Sequence, residues 1–121
     1  MTTTALDPAC AAADPGTIGL VDSVLMGGTH IEDVWIVDGE DGVEYVAGNI
    51  HDEAGDRVSS ADVWALNGGV IYALSGGARD ESAAVDGRDV LGISAGDEFG
   101  SLAQNCVTTS VRNRNIESRG N

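Results

Sequence analysis

The sequence predicts an α+β domain: a four-stranded antiparallel meander with N- and C-terminal helices packed on one face, clipped by one disulfide. Three observations predict it. Helix-period apolar spacing marks residues 16–25 and 97–107, four short β-branched or aromatic runs fill the middle, and two cysteines lie near opposite ends. The organisation that follows is a lead-in over residues 1–15, one domain over 16–111 and a polar tail over 112–121.

The lead-in carries two Asp-Pro steps, Asp7-Pro8 and Asp14-Pro15. Asp can cap a helix and Pro suits its first turn, so the second step predicts a helix start. Ile18, Val21, Val24 and Leu25 then recur at three- and four-residue spacing, and Gly27-Gly28 stops the pattern.

Val34–Val37 reads as the first strand and ends at a turn cluster, Asp38-Gly39-Glu40-Asp41-Gly42. Val43–Ile50 returns. A polar loop from His51 to Ser59 leads into Ala61–Leu66, and Asn67-Gly68 predicts a type I′ hairpin turn into Gly69–Ser75. Polar–apolar alternation in these strands is weak, as expected where helices cover a face. Trp35, Tyr45, Trp64 and Tyr72 are expected at the sheet core, with cross-strand aromatic pairing.

Residues 76–96 are rich in Gly, Asp and Ser and read as a long connection. From Asp97 a second helix is expected, with Phe99, Leu102, Ala103, Cys106 and Val107 on one stripe and Asp97 and Glu98 at its positive end. The tail beyond Val111 is expected to fray.

Cys10 and Cys106 each sit in a short stretch with helical character, so two packed terminal helices would bring the sulfurs together. No CxxC spacing points to zinc or redox chemistry. A bridge closing so long a loop contributes roughly 4–5 kcal/mol on the chain-entropy model. It also implies an oxidising, extracytoplasmic setting, secreted or envelope-anchored; reduced thiols would imply the cytoplasm. The first residues carry neither a basic nor an apolar leader segment, so export implies a leader or anchor removed ahead of Met1.

Twenty acids oppose six bases, for a formal net charge of −14, and the bases are all Arg. That field argues against nucleic acid, whose binding rests on cationic contacts to phosphate, and against anionic membrane surfaces. No stretch is long and apolar enough to span a bilayer.

The candidate sites are modest. Asp38, Glu40 and Asp41 in one turn, and Asp52, Glu53 and Asp56 in another, offer carboxylates on curved backbone, the chemistry calcium takes. Neither turn has EF-hand spacing, and the meander places them at opposite ends of the sheet. Arg79, Asp80 and Glu81 lie in the long connection and form a candidate ligand loop. His30 and His51 read as loop histidines. His51 stands beside Asp52 and Glu53, and His30 shortly before Glu32 and Asp33, but as metal ligands they would have to fold together. No GxSxG or phosphate loop accompanies them. No residue is therefore assigned a catalytic role.

The function expected is a small acidic extracytoplasmic binding or interaction domain for an unidentified protein or small ligand, without a cofactor unless calcium. Two alternatives stand beside it. One is a small hydrolase or metal-dependent enzyme using His51 and neighbouring carboxylates. The other is a cytoplasmic acidic protein of a salt-adapted organism.

Overall fold

A computed structural model describes residues 2–119. In chain order the elements are β1 (Ala11–Ala12), α1 (Pro15–Val24), β2 (His30–Asp38), β3 (Glu44–His51), β4 (Arg57–Asn67), β5 (Val70–Ala73), α2 (Gly76–Glu81), β6 (Val85–Asp86), α3 (Gly87–Leu91) and α4 (Glu98–Arg119). The strands form one sheet in the order β1-β2-β3-β4-β5-β6. It is antiparallel as far as β5, and β6 lies parallel to β5.

The α+β class is therefore observed, but the four-stranded antiparallel meander is not the whole sheet. Two short edge strands extend it. The residues expected to form a long connection, 76–96, instead build α2, β6 and α3. Ser75 caps α2 by accepting from the Ala78 amide at 3.3 Å, and its hydroxyl also donates to buried Asp62 at 2.9 Å. The turn before β5 is shifted by one residue. Asn67 pairs with Val70, and Gly68 and Gly69 occupy the turn with φ of 59° and 80°. Type I′ needs positive φ at both central positions, and two glycines supply it more cheaply than Asn-Gly.

The helices lie on opposite faces rather than one. Tyr45 and Ala47 of β3 pack with Ala103, Cys106 and Val107 of α4, while Val46 and Ile50 pack with Val21 of α1 and Ala78 of α2. Successive residues on a strand point to opposite faces, so both faces of β3 are buried. That double burial is why the alternation was weak in the sequence. The aromatic rings follow the same division. Tyr45 and Trp64 are buried in opposite cores, Trp35 donates to Ser110 of α4 at 3.0 Å, and Tyr45 lies 5.6 Å from Phe99. The rings thus pack against helices, not as the cross-strand aromatic pairs expected.

Helix starts follow the sequence closely, whereas α1 stops at Val24 with Leu25 extended, ahead of the Gly27-Gly28 pair expected to end it. Asp14 accepts from the Thr17 amide at 2.8 Å with Pro15 at the start of α1, and Asp97 accepts from the Gly100 amide at 2.8 Å to begin α4. α4 continues through Arg119, so residues 112–119 are helical rather than frayed; Gly120 and Asn121 lie outside the described residues.

Cys10 and Cys106 form a disulfide across a sequence separation of 96, with Cα atoms 5.8 Å apart. Cys10 is in a turn leading to β1 and not in a terminal helix; the expected pairing of two helices is replaced by an extended N-terminal segment laid on α4. Farther along, the Thr4 amide donates to Asn113 at 2.9 Å, Asn113 returns a bond to the Thr4 carbonyl at 2.7 Å, and Arg112 reaches the Thr4 hydroxyl. The lead-in is thus part of the folded unit.

Two bulges shape the centre of the sheet. One extra residue enters β2 between Glu32 and Trp35, where Asp33 has φ of 57°. Another enters β4 opposite Gly48–Ile50, where Ala61 has φ of 49°. The buried side chain of Asn49, between them on β3, donates to the Asp33 carboxylate at 3.1 Å and accepts from the Ala61 amide at 2.7 Å. Gly48 is required beside it, because a Cβ there would come within 2.7 Å of Ile31 Cγ1.

Two stability changes follow. Cys10→Ser with Cys106→Ser lowers unfolding free energy by about 4–5 kcal/mol on the loop-entropy model, read from urea melts of oxidised wild type and variant. Asn49→Ala strands the Ala61 amide and one Asp33 oxygen, and costs about 3 kcal/mol in the same assay; an unchanged midpoint would remove Asn49 from that role.

Candidate functional site

The β2–β3 turn, α3 and the start of α4 enclose a cleft of about 540 Å³ at one end of the sheet. Its floor is apolar: Val43 and Tyr45 from the first hairpin, Leu91 at the end of α3 and Ile93 just beyond it, and Phe99 from the first turn of α4. Its rim is acidic, with Glu40 and Asp41 from the turn and Asp97 and Glu98 from the head of α4, and among the described residues no basic side chain lines it.

Tyr45 and Asp97 join floor and rim. The Tyr45 hydroxyl donates to Asp97 Oδ2 at 2.7 Å, while Asp97 Oδ1 holds the Gly100 amide. Burial, the bond to Asp97 and the charges of Asp97 and Glu40 push the phenol well above its ordinary value of 10.0. Asp97 is thus committed to fixing α4 against the sheet. Glu40, Asp41 and Glu98 are exposed and carry the rim's outward charge.

The carboxylates of the sequence analysis divide accordingly. Glu40 and Asp41 line this cleft, and Asp38 is exposed at the end of β2. Asp52, Glu53 and Asp56 lie in the β3–β4 turn at the other end of β3. There Asp52 Oδ1 accepts from the Asp56 amide at 2.9 Å, so the turn closes on itself. The two acidic turns are not brought together. Arg79, Asp80 and Glu81 form the body of α2 rather than a loop, and Arg79 is occupied by the Leu74 carbonyl at 2.7 Å.

The histidines are not loop residues. His30 begins β2 and His51 ends β3, and they are direct cross-strand partners with ring centroids 6.0 Å apart. His30 Nε2 lies 2.6 Å from Glu32 Oε2, and His51 Nδ1 lies 3.8 Å from the same oxygen. Asp33 joins them from the bulge, bonded to Asn49 and to Arg114 of α4. Burial raises the Asp33 carboxyl, but the bonds from Arg114 and Asn49 outweigh it and hold the group below the usual carboxylate range. Among the described residues, Glu32, Asp33 and His51 are the group of three potential metal ligands whose donor atoms converge, within 4.8 Å of one another. It includes none of the six turn carboxylates considered for calcium.

Two functional groupings were missed by sequence reasoning. The cleft needs α3, which no apolar period announces. The histidine group becomes visible once β2 is extended back to His30 and its bulge is counted, since the hairpin register through residues 38–44 alone would set His30 opposite Asp52 and the extra residue moves it opposite His51. No family model, curated protein or solved structure matches the chain.

The Tyr45 phenol gives a pH signature. Its raised value contributes stability that is complete below pH 10.0 and is lost as pH climbs above that value. Alkaline urea midpoints should therefore fall with pH, and Tyr45→Phe should flatten the fall; equal slopes would show that the phenol is not linked to folding.

Proposed function

We propose that the chain is a small acidic extracytoplasmic binding domain whose cleft takes a cationic ligand with an apolar body, such as an arginine- or lysine-bearing peptide segment. The carrying observation is the acidic rim of Glu40, Asp41 and Glu98 over the apolar floor of Val43, Leu91, Ile93 and Phe99. An apolar floor supplies affinity through buried area, and the surrounding charge selects the partner and speeds its approach. The net charge of −14 extends the same preference beyond the cleft. The Cys10–Cys106 bridge supports the oxidising setting. No helix among the described residues is long and apolar enough to cross a membrane.

The test is a labelled short peptide of alternating arginine and leucine, titrated by fluorescence anisotropy. Binding should weaken as salt screens the rim. Glu40→Gln, Asp41→Asn and Glu98→Gln together should weaken it by about tenfold, equivalent to about 1.4 kcal/mol. Removing the same charge at the far end, through Asp52→Asn, Glu53→Gln and Asp56→Asn, should leave it unchanged. Equal losses in both triple variants would reduce the effect to net charge and sink the cleft.

A further inference from the structure

We infer that Glu32, Asp33 and His51, joined by His30, form a site for a divalent first-row transition-metal ion, at the end of the sheet opposite the acidic cleft. The inference is independent of the cleft's ligand.

The antiparallel register builds the group. His30 and His51 are paired, so both side chains leave the same face, and Glu32 follows His30 on that face. Ile31 and Ile50 point the other way, into the core under α1. A regular strand would send Asp33 after Ile31. The extra residue in β2, with Asp33 at φ of 57°, brings its carboxylate into the group instead. The donor atoms of Glu32, Asp33 and His51 already lie within 4.8 Å of one another, and His30 Nε2 is 2.6 Å from Glu32 Oε2.

His51 is prepared as a ligand. Its Nδ1 donates to the Gly55 carbonyl at 3.1 Å, which leaves the Nε2 lone pair free in the neutral ring. Nε2 is buried and has no hydrogen-bond partner. A histidine held at one nitrogen by a backbone carbonyl and unpaired at the other is the usual outer arrangement of a metal-binding imidazole, and this ring lies against the group, with Nδ1 3.8 Å from Glu32 Oε2. Asp33 is similarly steadied, by Asn49 at 3.1 Å and by Arg114. Its side chain is 10% exposed and that of His51 16%, so much of the desolvation precedes binding.

The donor set chooses the class of ion. Imidazole nitrogen with carboxylate oxygen suits zinc and its neighbours, whereas calcium and magnesium prefer oxygen alone. On binding, the His30–Glu32 hydrogen bond is exchanged for bonds to the ion.

The experiment uses the oxidised full chain free of any affinity tag, titrated with zinc by calorimetry and with cobalt by visible absorption. Saturable binding of one zinc per chain is expected, with cobalt showing the d–d bands of a low-coordinate ion. His51→Gln and Glu32→Gln should each weaken zinc by more than about tenfold, since even outer partners of a ligand cost that much. His30→Gln alters an exposed ring and keeps the test valid should His51→Gln misfold; it too should weaken binding. Glu53→Gln, an acid outside the group, should bind as wild type. Zinc bound equally by wild type and all three site variants, no saturable binding, or calcium bound as tightly as zinc would each overturn the assignment.

Discussion

One buried amide holds the irregular centre of this sheet together. Asn49 sits on β3 between two bulged neighbours and satisfies the Asp33 carboxylate on one side and the Ala61 amide on the other. Both bulged residues have positive φ without being glycine, a backbone state that persists only where its surroundings impose it. The consequence is a change of face. Ile31 and Ile36 are an odd number of residues apart, yet both enter the core under α1, because the extra residue in β2 restores the alternation. Without the bulge one of the two would be turned away from that core. Since buried polar atoms are costly when unpaired, Asn49 makes the irregular register the favourable one.

α4 depends on that centre and returns the support. Near its start, Asp97 caps the helix and receives the Tyr45 hydroxyl; toward its end, Arg114 reaches Asp33 in the β2 bulge. Between them Cys106 ties the helix to Cys10. An acid at the amino end and a base near the carboxyl end also match the helix dipole. These three attachments set the helix's position along the sheet, and the Thr4–Asn113 pair extends them to the N-terminal segment. A chain with twenty acids gains from such clamps, since its own charge favours expansion.

How much of this could be read from the sequence depends on how local each cause is. Asp14-Pro15 starts α1, Asp97 starts α4 and the glycine pair makes the last hairpin turn, because a cap or a turn is decided within about four residues. The disulfide was legible from the placement of Cys10 and Cys106, although the helical setting expected for Cys10 was not its means. What escaped was decided at a distance. Burial of β3 on both faces removed the alternation that would have shown which helix covers which side. β6 is two residues long and owes its pairing to the crossover through α2. Positive φ at Asp33 and Ala61 comes from Asn49, which is far from either bulge's own turn chemistry. The histidine group was hidden for the same reason, since its convergence depends on register and bulge together.

The two ends of the sheet differ in chemistry because α4 reaches both with opposite charge. At its head Asp97 and Glu98 add to the turn acids, and no base among the described residues offsets them in the cleft. At its far end Arg114 faces Asp33, so that carboxylate is partly neutralised and anchored rather than splayed into water. Anchored donors suit a compact ion, which needs its ligands close and in fixed directions. Outward, weakly tethered carboxylates suit an extended cationic partner, which can meet them one at a time. The same helix position that lays Cys106 over Cys10 thus determines both arrangements, so a shift of α4 along the sheet could not alter one end and leave the other intact.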